Sequence, residues 1–332
     1  MKSRLLMTAM GALMTLGMGT AASAETAMRC AHQLPPQHPV AQIIDTWATQ
    51  VETLSGGEID VQLFPADSLV GANDAILSVA KGDIECAFSV PFVWGKTMPI
   101  MGVSLEPFAF SDINIWRNWY GSEAAQFLEG KLREKGLENV AWIFQTRDSA
   151  FSSNGKFLAA PEDFKGMKIR GLMPAFNASL EALGAAPVST PGSEVYESLA
   201  TGVIDGAMAG VDSTVSRKYY EVQDHFSIIP AISVYFHGYT NAKFYAGLSD
   251  TAKEALRQAG AEAAATAVKV AEEGEATYPK QLEEKGVSVY RLTDAENAAL
   301  QEIMYPAFLN AFTAPKEDVE ELHGLIDKLR AQ

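Results

Sequence analysis

The feature that most constrains this chain is a repeated switch of hydrophobic period between residues 28 and 90. Met28 to His32 is an apolar run of strand length. From Val40 to Ser55 the period lengthens. Ile43, Ile44, Trp47, Val51 and Leu54 fall on one helical face, and Gly56-Gly57 ends the helix. Ile59 to Phe64 alternates as a strand and stops at Pro65. Gly71 to Lys81 is helical again, stopped by Gly82, and Ile84 to Val90 is the next strand. The order β-α-β-α-β calls for parallel strands with right-handed crossovers. Ligands on such sheets sit beyond the carboxyl ends of the strands. Those ends lead here into Gln33 to Pro39 and Pro91 to Thr97.

A second unit of the same kind begins near Val140. Ala141 to Thr146 and Ala150 to Ser153 read as extended, Pro161 to Gly166 as a turn with one helical turn, and Met167 to Arg170 as a strand. Helices are expected at Pro174 to Leu183 and Glu194 to Thr201, and strands at Ile204 to Ala209 and Tyr235 to Asn241. Ser249 to Lys285 is a long Ala- and Glu-rich helical stretch with Gly260, Gly274 and Pro279 as its only breakers. A strand at Val287 to Leu292 and two helices finish the chain. The fold class read from this order is α/β, with two lobes, crossing segments between them and one long helix spanning both.

Residues 1–24 read as a secretory signal. Lys2 and Arg4 supply a positive start, Leu5 to Met18 an uncharged apolar run, and Ala22-Ser23-Ala24 a small-x-small cleavage site before Glu25. The apolar run is short for a bilayer span and diluted by Gly and Thr. Export makes disulfides permissible. The two cysteines, Cys30 and Cys86, lie on strand-like segments, and adjacent parallel strands rarely give disulfide geometry, so two buried thiols are expected. With 26 basic against 41 acidic residues the net charge is -15. That balance argues against nucleic acid and against an anionic membrane surface.

Catalytic and cofactor signatures are absent from the sequence. There is no G-x-x-x-x-G-K-[ST], no G-x-G-x-x-G after a strand and no G-x-S-x-G. The five histidines (32, 38, 225, 237 and 323) show no metal-ligand spacing, and there is no C-x-x-C. No cofactor and no metal are expected. His225 and His237 lack a visible nucleophile and read as structural. The informative residue is Arg170, at the end of the short strand Gly166-Met167-Lys168-Ile169-Arg170. Its planar donor fork matches a carboxylate. From this local context alone a surface salt bridge would account for it equally well.

Several segments together resemble the periplasmic solute-binding subunits of tripartite ATP-independent periplasmic (TRAP) transporters, the DctP family. They are His38-Pro39-Val40 with Trp47-Ala48 and Val51-Glu52, Ser55-Gly56-Gly57, Gly82-Asp83-Ile84-Glu85, Pro161 through Arg170, Glu194 through Gly206, and Tyr220-Glu221-Val222-Gln223. The resemblance covers nearly all of the chain after the signal. It implies a two-lobed periplasmic binding protein with parallel-type mixed sheets in each lobe, closing over a small carboxylate held by Arg170. It also implies delivery to integral-membrane permease subunits. Lobe I is expected at 25–148 and 236–273, and lobe II at 149–235 and 274–332, with the C-terminal helices able to pack back on lobe I.

A second family arginine usually precedes the first by about twenty residues; Arg147 is the nearest candidate, at a spacing of 23. Gly192 and Ala209 stand where the family often has larger residues, which would enlarge the pocket for an aromatic or hydroxylated acid unless Met173 or Met208 refills it. Asp212 is a candidate acceptor for a ligand hydroxyl or amine, with a helix N-cap as its equal alternative. Gln33, Phe92, Trp94, Phe236 and Tyr239 are further candidates to line the site, most of the aromatic residues being expected in the core. The chain is therefore read as an exported, non-enzymatic binding protein. Service to a chemoreceptor or sensor, and an exported enzyme, are the alternatives.

Overall fold

The period switches at the start of the chain become five elements in the expected order: β1 (Thr26–His32), α1 (Pro39–Leu54), β2 (Ile59–Phe64), α2 (Ala72–Lys81) and β3 (Cys86–Ser89). The structure, a computed structural model, describes residues 26–331, so the signal segment lies outside the described residues. β1 pairs in parallel with both β2 and β3. The apolar face of α1 packs down on them, with Trp47 edge-on to Phe88 at 5.0 Å between ring centroids. Gly82 ends α2 in the left-handed conformation that glycine adopts without strain.

The remaining elements are α3 (Ile113–Arg117), α4 (Glu123–Glu134), β4 (Leu137–Thr146), β5 (Ser149–Ser153), β6 (Lys168–Gly171), α5 (Pro174–Ala182), β7 (Ala186–Ser189), α6 (Val195–Ala200), β8 (Ala207–Gly210), α7 (Val211–Ser216), β9 (His225–Ile229), β10 (Val234–Asn241), α8 (Ala242–Gly247), α9 (Asp250–Glu284), β11 (Ser288–Arg291), α10 (Asp294–Ala311) and α11 (Lys316–Arg330). The first sheet has the order β2-β1-β3-β10-β4, and β10 runs antiparallel to both neighbours. The second has the order β11-β9-β5-β8. It is not a copy of the first unit: β5 runs antiparallel to β8 and to β9. β6 and β7 form a parallel pair that meets the second sheet through an Ile169–Gly206 bridge.

The chain crosses between the sheets at 147–148 and again at 230–233. α9 makes the third connection. It packs on α1 and β4 of the first sheet and on α7 and β11 of the second. Gly260 permits this approach, because a Cβ there would lie 2.5 Å from the Val140 carbonyl oxygen. Gly274 and Pro279 do not stop the helix. α10 packs on α5, and α11 on α3 and α4.

One expectation is overturned here. Cys30 and Cys86 are register partners on β1 and β3, with Cα atoms 4.3 Å apart, and their sulfurs are bonded. Residues opposite each other on neighbouring strands send their side chains to the same face. Both cysteines are fully buried there.

Candidate ligand-binding cleft

Between the two sheets lies a cavity of about 40 Å³. It opens where β1, β3, β6 and β8 end, as the crossover topology requires. Arg170 reaches it from β6, and only 5% of its surface is exposed. Its Nε donates to the Thr190 carbonyl (3.1 Å) and its Nη1 to the Met208 carbonyl (2.9 Å). The guanidinium stands over the Phe92 ring at 5.4 Å from the centroid. No carboxylate among the described residues pairs with it, so it is a buried charge whose unused donors face the cavity. Burial lowers its pKa from the ordinary arginine value, Arg217 adding to this and Tyr219 opposing it.

The loop after β1 crosses the cleft and grips the opposite side. Gln33 Oε1 accepts from the Gly192 N–H at 3.1 Å, and the Gln33 carbonyl accepts from Arg217 Nη2 at 3.1 Å. Gln37 Nε2 donates to the Ser216 carbonyl at 2.9 Å. His38 caps α1, its Nδ1 accepting from the Val40 N–H at 3.1 Å. That contact places the proton of the neutral ring on Nε2, which lies 3.0 Å from Ser213 Oγ and 3.3 Å from Asp212 Oδ2. Gln145, on β4, donates to both Asp212 oxygens (2.9 and 3.0 Å) and to Ser213 Oγ. Burial lowers the His38 pKa well below the usual imidazole value. Burial also raises Asp212 to about 6, against the hydrogen bond from Gln145.

The sequence candidates divide clearly. Arg170, Gln33, Phe92 and Phe236 line the cavity. Asp212 sits beside it in the polar cluster with His38 and Gln145; it occupies the first turn of α7, whose N-cap is Gly210, so it is not the cap itself. Trp94 and Tyr239 belong to the core instead. Trp94 packs against His237 and Tyr239, and Tyr239 Oη is 2.8 Å from Ser89 Oγ. Arg147 is at the crossing to β5, away from the cavity. Its Nε and Nη2 bind both carboxylate oxygens of Glu275 (2.6 and 3.0 Å), and its Nη1 the Ser111 carbonyl.

The enlarged pocket is also corrected. A Cβ on Gly192 would lie 2.8 Å from Gln33 Oε1 and 3.3 Å from Arg217 Nη2, so those side chains already occupy its space. Met208 and Ala209 line the cavity, whereas Met173 packs against Gly95 and Gly102. The remaining wall is largely apolar: Leu34, Val90, Leu172, Ile232 and Val234. Sequence reading missed Arg217, Tyr219 and Gln145. Of the two histidines considered as bases, His237 is buried among aromatic rings with both nitrogens unpaired, and His225 pairs with Asp224.

A family model described as bacterial extracellular solute-binding protein, family 7 (DctP), matches residues 30–314. A solute-binding protein of Albidiferax ferrireducens is 30% identical over 229 residues, 67% of each chain. The C4-dicarboxylate-binding periplasmic protein DctP of Rhodobacter capsulatus is 27% identical over 291 residues, 84% of each chain. A TRAP periplasmic solute-binding protein of Sulfurospirillum deleyianum, solved with bound succinate, matches with a TM-score of 0.82 at 25% identity, covering 91% of this chain and 99% of that one. The two-lobed architecture, the cleft between the sheets and these matches agree: the chain belongs to the DctP family of TRAP-transporter solute-binding proteins.

Proposed function

We propose that this chain captures a compact organic acid outside the cytoplasm, holds its carboxylate on Arg170, and delivers it to the membrane permease subunits of a TRAP importer. The observation that carries this reading is a buried guanidinium with no carboxylate partner among the described residues, set in a cavity between two lobes. A buried charge is costly unless paired. An incoming carboxylate supplies the pair, and closure of the lobes removes water and strengthens it.

Lobe I is assigned to 26–148 and 234–273 with α11 packed back on it, and lobe II to 149–229 and 274–311, with the hinge at the two crossings and α9. The second boundary moves from 235/236 because β10 begins at Val234 in the first sheet. Solute-binding receptors of this family are not enzymes, and no described helix is long and apolar enough to cross a membrane. Removal of residues 1–24 on export is part of the reading; the mass of the exported chain tests it, since a chain that keeps them refutes cleavage.

A thermal-shift screen of small acids tests the function. A ligand at a hundred times its dissociation constant stabilises by about 2.7 kcal/mol. Stabilisation by small carboxylates and none by matched neutral amides is expected. Equal response to both, or turnover of the acid, refutes it.

A further inference from the structure

The two chain crossings that join the lobes are anchored differently. The second, at 230–233, is tied to lobe I by uncharged bonds. The Ala231 carbonyl accepts from the Phe108 N–H (2.8 Å), the Ser233 N–H donates to the Ser104 carbonyl (3.1 Å), and Ser233 Oγ donates to the Phe110 carbonyl (2.6 Å). The first crossing is the pair Arg147-Asp148 between β4 and β5, and both side chains are held by charge. Arg147 grips both oxygens of Glu275, on the lobe II half of α9, through Nε and Nη2 (2.6 and 3.0 Å). Its Nη1 donates to the Ser111 carbonyl of lobe I at 2.9 Å. Asp148 is buried, and both its oxygens accept from Arg291, at the end of β11 in lobe II (3.1 and 2.6 Å).

This arrangement couples charge to the hinge torsions. Turning one sheet against the other about so short a crossing must change φ and ψ there, since the peptide planes themselves are stiff. Those torsions aim the two side chains. A bidentate guanidinium–carboxylate pair is specific in its geometry, and here consecutive residues are gripped by partners on two elements. Wherever the bend falls, a charged contact is lost. Ahead of Arg147 it is the bond to Ser111; between the two residues it is the grip on Glu275; beyond Asp148 it is the grip of Arg291. These contacts coexist with lobes bonded across the cleft through Gln33. Around the crossing lies an open cavity of about 530 Å³, lined by Ser111, Arg147, Pro230, Glu275 and Arg291, which shares no residue with the ligand cavity and gives the crossing room to move. Glu272, one turn before Glu275, belongs to a separate tie, to Arg117 of α3 in lobe I.

We propose that the Arg147–Glu275 and Asp148–Arg291 pairs form an ionic latch at the hinge that favours the closed form and so sets affinity and residence time for every ligand without touching any of them. The four are positioning residues. Because the second crossing is held by uncharged bonds, closure responds to salt through the first. The role of the latch rests on the two-lobed capture reading above.

Small-angle X-ray scattering of the ligand-free protein reads the hinge directly. In the wild type the radius of gyration is expected to rise between about 0.1 M and 1 M sodium chloride, as the reach of a charge falls from about 10 Å to about 3 Å. Glu275→Gln and Arg291→Met should show the larger radius already at the lower salt and lose most of the salt response, which a merely structural role would not change. Titration calorimetry with pyruvate and succinate as probes supplies the second readout. Each variant is expected to weaken both acids by a common factor, roughly five- to tenfold, the upper end for partly exposed pairs because both are bidentate. Glu275→Gln conserves size and leaves no buried charge unpaired, so it carries the test if Arg291→Met, which strands buried Asp148, misfolds. A Glu275→Gln radius and salt response equal to the wild type's, or losses that differ between the two acids, overturn the latch alone. A wild type that binds neither acid counts against the carboxylate reading, and the scattering comparison still decides the latch.

Discussion

Replacing Arg170 by lysine isolates the donor fork from the charge. In the structure two of the guanidinium nitrogens are spent on the Thr190 and Met208 carbonyls, at 3.1 and 2.9 Å. The rest of the fork faces the cavity. A lysine ammonium is a point charge with three donors. Drawn to the two carbonyls it sits back from the ligand; extended toward the ligand it leaves a buried carbonyl unpaired. Either way at least one charge-assisted hydrogen bond is lost, worth about 1.5–3 kcal/mol. The expected affinity loss is therefore roughly 12- to 140-fold, at 1.4 kcal/mol per factor of ten. Unfolding stability should fall by only about 1–2 kcal/mol, from one under-satisfied carbonyl. Calorimetric titration with the best acid from the screen, beside thermal unfolding of both proteins, reads the two effects separately. An Arg170→Lys variant that binds within about threefold of the wild type would show that Arg170 is not the carboxylate anchor.

Three further outcomes follow from the same geometry. Reducing the Cys30–Cys86 bond releases a loop with a sequence separation of 56 residues, which should lower stability by about 2–4 kcal/mol; identical melting with and without reductant would contradict the pairing. Asp212, raised by burial to about 6 from an ordinary value of 3.8, favours folding when protonated and loses that contribution as pH rises from about 4 through 6. Asp212→Asn should therefore stabilise by roughly 1–3 kcal/mol at pH 8 and hardly at all at pH 4; an equal effect at both would sink the argument. Buried His32 and His237 are lowered to about 4 and about 3 from 6.5, and His38 is lowered as well. The unfolded chain takes up their protons first as pH falls below 6.5, so net stability should drop between pH 6.5 and 4. A flat melting temperature over that range would refute their burial as neutral rings.

The elements were legible where periodicity is local, and the partners were not. α1 and α2 announce themselves through apolar faces and glycine stops, α9 through its length and composition, the strand before α1 through its apolar run and the strand after α1 through its alternation. Nothing in Val234–Asn241 says that it enters the first sheet antiparallel between β3 and β4, because register depends on contacts far apart in sequence. The disulfide follows from the same kind of fact: adjacency of β1 and β3 was foreseeable, but the in-register meeting of Cys30 and Cys86 was not.

The site shows the same division. Arg170 stood out because it ends a strand, where crossover topology places ligands. The family resemblance implied a companion arginine upstream, for which Arg147 was the nearest candidate, yet the first crossing turns Arg147 outward to Glu275. Arg217 lies in Ser216-Arg217-Lys218, which reads as an exposed turn. Only the fold brings it opposite Gly192, and the glycine was noticed as missing bulk rather than as a seat for another side chain. Trp94 and Tyr239 have the composition of a ligand wall but face the core around His237.

The central claim is that a ligand carboxylate completes Arg170. A crystal structure of the mature chain with the tightest-binding acid from the screen tests it most directly. The account predicts the carboxylate within about 2.7–2.9 Å of Arg170 guanidinium nitrogens, enclosed between the Gln33 loop and the end of β8. Acid bound elsewhere, or a carboxylate in the cleft that leaves Arg170 unpaired, would contradict it.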